Sequence, residues 1–188
     1  MKSMNIYITG VGGQGIGMLS EILVRAVNYA GYKFKGVDTH GLAQRGGVVV
    51  SQLRIGDEAH SPLIEEGDAD LIISLERHEA LRSMGGMLKN GGTIVWYDTS
   101  WQPLPVRTGQ NKETETDQID KLAQTKNIKN HRVYNESLPD TRMQNIALLS
   151  EIIRHNLIPG VELIYCEKAM KDLMNEKLFS KNIEVLRG

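Results

Sequence analysis

The stretch TGVGGQGIG, residues 9–17, constrains this chain more than any other, because glycines 10, 12 and 15 stand in the spacing of a strand–turn–helix phosphate loop. In such a turn the first glycine permits a sharp reversal, the second lets backbone approach a pyrophosphate, and the third brings helix and strand together. The flanks agree. Ile6, Tyr7 and Ile8 suit a short buried strand, while Ile16, Leu19, Leu23, Ala26, Val27 and Ala30 recur at helical spacing, with Glu21 and Arg25 paired on the other face. Gly31 is placed to end the helix. A second strand, KFKGVD, closes on Asp38, where NAD enzymes place a ribose-binding acid. The same turn serves NAD or NADP, another phosphate at a helix amino terminus, or close packing alone, and these residues do not choose among them.

The rest of the chain decides the class. With 188 residues, 40% hydrophobic and 24% charged, it has material for one globular domain over 1–188 and would crowd two. A formal net charge of −1 leaves no electrostatic footprint for nucleic acid. No apolar run approaches the roughly 18 residues of a membrane span, and the opening MKSMNIYITG lacks a signal peptide's apolar segment, so no membrane association and a cytoplasmic location are expected. Cys166 is the only cysteine, flanked by apolar residues in LIYCEKAM, and reads as a buried structural thiol. One thiolate excludes an internal disulfide and cannot hold an ordinary iron–sulfur cluster. The histidines at 40, 60, 78, 131 and 155 include no close helical pair, so no zinc site is expected.

Strands and helices alternate with one interruption. VVVSQLRI (48–55), Gly56-Asp57 and EAHS read as a hairpin. DLIISLE (70–76) is a buried strand leading into the helix HEALRSM, LKNGG (88–92) is a turn, and TIVWYD (93–98) is another buried strand. Residues 108–130 are polar and predict an exposed loop with a short surface helix. Pro139-Asp140-Thr141 opens a helix with Ile146, Leu149, Ile153 and Leu157 on one stripe, ended by Pro159-Gly160, and a shorter helix follows near 167–176. The fold expected is α/β: a Rossmann-like three-layer domain with a mainly parallel sheet, an antiparallel hairpin, and helices on both faces.

In such sheets ligands bind beyond the carboxyl ends of the strands. That rule selects the glycine turn, Asp38 and His40, Glu76, and residues 98–100. Asp38 also opens DTHGLAQRGG, a polar loop carrying His40, Gln44 and Arg45 between Gly41, Gly46 and Gly47. Arg45 offers a forked contact to phosphate or carboxylate, and the glycines let a ligand or another chain reach backbone.

GVGGQGI, HGLAQRGGVVVSQLRIG, SPLI and DLIISLERHEALR, in this order, resemble the gamma domain of the 2-oxoacid:ferredoxin oxidoreductases, in particular the beta-subunit branch of the indolepyruvate enzymes. The resemblance runs from about Asn5 to Arg82 and fades beyond Asp98. It implies a subunit of an enzyme that oxidatively decarboxylates a 2-oxo acid, an arylpyruvate in that branch, to an acyl-CoA and passes electrons to ferredoxin. Thiamine diphosphate, magnesium and iron–sulfur clusters then belong to a partner subunit, none to this chain, with coenzyme A shared between them. The isolated chain is expected to be inactive. The motif positions carried over are Gly10, Gly12, Gly13, Gln14, Gly15, His40, Gly41, Gln44, Arg45, Gly46 and Gly47. Two rivals stand beside this reading: an NAD-dependent reductase using Asp38 with His40 or Tyr97 as acid or base, and a non-catalytic nucleotide-binding module. Composition leaves a homodimer open.

Overall fold

The computed structural model describes residues 3–39, 47–101, 106, 108–110 and 112–188. In chain order the elements are β1 (Met4–Val11), α1 (Ile16–Tyr29), β2 (Phe34–Thr39), β3 (Val48–Ile55), β4 (Ala69–Ser74), α2 (Arg77–Gly86), β5 (Leu88–Tyr97), α3 (Thr116–Thr125), β6 (Lys129–Val133), a 3-10 turn (Thr141–Met143), α4 (Gln144–Arg154), α5 (Leu163–Leu173) and α6 (Glu176–Arg187). The six strands lie in the order β2-β3-β1-β4-β5-β6. The ladders β1–β4, β4–β5 and β5–β6 are parallel, while β3 runs antiparallel to both β1 and β2.

Alternation along the strands divides the core. Ile6, Ile8, Leu71, Ile73 and Val95 face one side with Leu19 and Leu23 of α1, Leu149 of α4, Met170 of α5 and Leu186 of α6. Tyr7, Ile72, Ile94 and Trp96 face the other, against Ala80 and Met84 of α2 and Ile119 of α3. Helices therefore cover both faces of a three-layer α/β fold. Cys166 is wholly buried in the first cluster, and burial pushes its thiol up to about 12. No helix of the described residues is long and apolar enough to cross a membrane.

The antiparallel hairpin is present but made of other strands than expected. Residues 58–61 form no strand; β3 pairs back onto β2. Gly56, at φ +123°, donates its N–H to the Lys33 carbonyl at 2.8 Å and turns the chain away there. Beyond it, side chains of β3 hold the segment: Arg54 Nη1 donates to the carbonyls of Ser61 (3.4 Å) and Leu63 (3.2 Å), and Gln52 Oε1 accepts from the Ile64 N–H at 2.7 Å.

Four further features differ. The LKNGG turn survives as a break inside β5, since pairing with β4 jumps from Ala69–Leu88 to Leu71–Thr93. Helix α4 stops at Arg154, ahead of Pro159, because Asn156 takes φ 47°. The expected short helix is two, α5 and α6, and β6 lies in the polar stretch, where an edge strand with one neighbour shows no apolar period. Nor is the polar stretch only a solvated face, for Thr114, Ile119 and Ala123 are buried.

Candidate functional site

The carboxyl ends of β1 and β2 meet the start of β3 at one edge of the sheet, with Val11 opposite Val48 and Thr39 opposite Val50. Ser74 of β4 lies beside Thr9 and Trp96 of β5 beside Ser74. The glycine turn and the loop that ends at Gly47 are joined there: Gly12 N–H donates to the Gly47 carbonyl at 2.8 Å. His40, Gly41, Gln44, Arg45 and Gly46 lie outside the described residues.

Inside the turn the space is taken by protein. Gln14 is buried, its Oε1 accepting from the Val11 N–H at 2.8 Å and its Nε2 donating to the Leu75 carbonyl at 2.7 Å. A Cβ on Gly10 would stand 2.9 Å from Gln14 Oε1 and 3.1 Å from Leu75 Cβ, so this glycine makes room for the glutamine. Gly15, at φ +80°, is the N-cap of α1, and a Cβ there would meet Asn145 Nδ2 at 2.7 Å. Asn145 donates to the Gly15 carbonyl at 3.2 Å. The Trp101 ring lies 3.5 Å from where a Gly13 Cβ would be. The third glycine thus receives an α4 side chain. The first turn of α1 has no side-chain cap and no acidic residue.

Asp38 does not reach this turn as a ribose acid would. Strand β3 separates β2 from β1, and Asp38, level with Ser51 and Ile8, is two strand spacings from β1, about 9.6 Å. Its Oδ1 accepts from Ser20 Oγ of α1 at 3.0 Å. Tyr97, the other acid–base candidate of the reductase reading, is buried with its hydroxyl 3.1 Å from the Asn135 carbonyl and 3.2 Å from the Asn135 N–H. Burial raises its pKa, so it is a poor proton donor or base near neutrality.

The neighbouring β4–α2 turn holds charge that no motif marked. Glu76, fully buried, is the N-cap of α2: its Oε2 accepts from the Glu79 N–H at 3.0 Å, and its Oε1 lies 2.6 Å from His78 Nδ1 and 3.2 Å from the Trp101 N–H. Thr114 N–H points at His78 Nε2 at 3.1 Å. Nε2 thus faces a backbone N–H while Nδ1 faces the Glu76 carboxylate. Beside it, Arg77 Nη2 reaches Asp98 Oδ1 at 2.7 Å and Arg132 Nε reaches Oδ2 at 2.8 Å. Glu79, also buried, accepts from Thr9 Oγ1 at 3.2 Å and pairs with Arg82. Sequence reasoning reached Glu76 and Asp98 but missed His78, Thr114, Trp101 and Asn145. Acid and histidine two residues apart at a strand end were the available signal.

A cleft of about 200 Å³ opens beside the α1 amino terminus, lined among others by Met18, Arg142, Asn145, Met174 and Leu178. Small-molecule sites run to about 300–1,000 Å³, and this cleft lies below that range. An iron–sulfur cluster does not fit this chain, whose single cysteine is buried in the core.

The family described as pyruvate ferredoxin/flavodoxin oxidoreductase matches residues 5–188. Indolepyruvate oxidoreductase subunit IorB of Archaeoglobus fulgidus is 34% identical over 192 residues, which cover 98% of this chain and 92% of that protein. The protein of the same name from Pyrococcus horikoshii is 44% identical over 105 residues, 56% of this chain and 50% of its own. Among solved structures, the keto/oxoacid ferredoxin oxidoreductase gamma subunit of Geobacter sulfurreducens superposes with a TM-score of 0.65 at 18% identity, covering 98% of this chain and 94% of that one. A 2-oxoglutarate:ferredoxin oxidoreductase from Magnetococcus marinus, with 2-oxoglutarate, coenzyme A and succinyl-CoA bound, gives 0.69 at 15% identity, over 99% of this chain and 30% of that longer one. At those identities the structures speak for the fold, and the sequence matches carry the kinship. A domain match across nearly the whole chain, together with a relative aligned end to end, places this chain in the pyruvate ferredoxin/flavodoxin oxidoreductase family.

Proposed function

We propose that residues 1–188 act as one gamma-type domain, the small subunit of a cytoplasmic, thiamine-dependent 2-oxo acid ferredoxin oxidoreductase that uses indolepyruvate or another arylpyruvate. The partner subunit carries thiamine diphosphate, magnesium and the iron–sulfur clusters. This chain supplies a docking edge for that partner and part of the coenzyme A contact, at Gly12, Gly13 and the loop containing His40, Gly41, Gln44, Arg45, Gly46 and Gly47, while Gly10, Gln14 and Gly15 shape the turn from inside and Asp38 bonds Ser20 of α1. The observation that carries the reading is the bond from Gly12 to Gly47, which joins the two glycine-rich segments at the carboxyl edge of the sheet; the 200 Å³ cleft lies to one side, between the first turn of α1 and residues 140–146 and 174–182. A cleft too small for the whole ligand suits a site completed by a second chain, and the uncapped start of α1 suits a phosphate or carboxylate. Arg45 would add a forked, charge-assisted contact.

Purification alone and with a thiamine-binding partner tests this. Alone, the chain should be colourless and should not reduce a viologen dye with any 2-oxo acid; the reconstituted complex should do so with indolepyruvate, dependent on coenzyme A. Arg45→Ala should weaken assembly or coenzyme A use by about 1.5–3 kcal/mol, roughly 10- to 150-fold, without changing the fold. Turnover by the isolated chain, or low-micromolar NADH binding lost in Asp38→Ala, would move the assignment to a reductase.

A further inference from the structure

Far from the glycine turn, on the outer edge of the sheet, the fold brings together three side chains that the histidine spacing kept apart. His131 stands midway along edge strand β6, Glu151 lies in the last turn of α4, and His155, one turn on, caps that helix. Glu151 Oε1 is 2.9 Å from His155 Nε2 and 3.6 Å from His131 Nδ1. The two imidazole rings are 4.8 Å apart at 58°, tilted about the shared oxygen and not stacked. One donor atom from each residue lies within 4.8 Å of the others. An ion with bonds of about 2.0–2.2 Å holds donor atoms up to about 4.4 Å apart, so small side-chain rotations close the set.

We propose that His131, Glu151 and His155 bind one divalent transition-metal ion. Two imidazoles and a carboxylate select zinc, cobalt, nickel or copper over magnesium and calcium, which prefer all-oxygen sites. Arg154 Nη1 lies 3.5 Å from Glu151 Oε2 and so leaves Oε1 turned toward both histidines. Its charge opposes that of a cation, but Arg154 is 60% exposed and the repulsion is screened. His155, 45% exposed, leaves the remaining coordination positions open to water. The ion clamps the edge strand β6 to α4, and this requires nothing of the docking edge proposed above.

The test is titration of the untagged full chain, stripped with chelator, with zinc against a chromophoric competitor. One zinc per chain should bind with Kd in the low micromolar range or below, undisturbed by millimolar magnesium or calcium. His131→Ala, His155→Ala and the near-isosteric Glu151→Gln should each weaken it at least about tenfold, while His60→Ala should not. Zinc at about a hundredfold over Kd should raise the melting temperature by about 5–10 °C in the parent and not in His131→Ala. Binding weaker than about 100 μM, or binding that survives all three ligand substitutions, would overturn the site.

Discussion

Where β1 passes into α1 the chain uses three glycines and one neutral amide; where β4 passes into α2, one strand away, it buries a glutamate against a histidine and flanks them with three arginine–carboxylate pairs. Both turns open at the same edge and are bonded to each other, since Gln14 donates to Leu75 and the Leu75 N–H donates to the Thr9 carbonyl at 3.0 Å. The first is rigid through close backbone approach, the second through charge satisfied in low dielectric. Their difference separates what a motif advertises from where ionisable groups are concentrated.

The sharpest way to break this comparison is at Glu76. Glu76→Ala removes a helix cap, the Trp101 N–H acceptor and the partner of His78 at once, and should cost about 3–5 kcal/mol of stability by chemical denaturation. Glu76→Gln, which keeps the shape and an acceptor, should cost less. Equal and small losses in both would mean that the buried charge contributes little to the turn.

At the glycine turn the expected effect is smaller. Gln14→Ala leaves the Val11 N–H and the Leu75 carbonyl unpaired and should cost about 2–3 kcal/mol, with Gly10→Ala doing comparable damage by crowding the same glutamine. If Gln14→Ala instead left the melting temperature unchanged and lowered only coenzyme A use in the complex, the amide would be a ligand contact and the two turns would differ less than described.

The smallest effect belongs to Asp38. Asp38→Ala loses one partly buried hydrogen bond to Ser20 and should change stability by about 0.5–1 kcal/mol, with no NADH binding to lose in either protein by calorimetry. A calorimetric signal in the parent that vanished in the variant would restore the ribose role despite the intervening strand.

Local pattern carried β1, α1 and the glycine turn because short-range period and backbone sterics act within a dozen residues: Ile6 and Ile8 alternate with Tyr7, and Leu19, Leu23 and Ala26 repeat on one helical face. The same pattern misled at Gly56, where a tight turn was legible but its partner strand was not, because pairing depends on which distant strand buries more. Insertion of β3 between β1 and β2 was a tertiary outcome, and it alone removed Asp38 from the turn. The sequence by itself determined the family and the places where the chain must turn sharply, since glycines and apolar periods are properties of single segments. Tertiary structure alone decided that Gln14 fills its own turn, that His78 faces Glu76 and Thr114, and that His131 meets Glu151 and His155. Each of these joins groups whose proximity arises from packing of the sheet and its helices, a long-range balance of burial and pairing that no window of sequence contains.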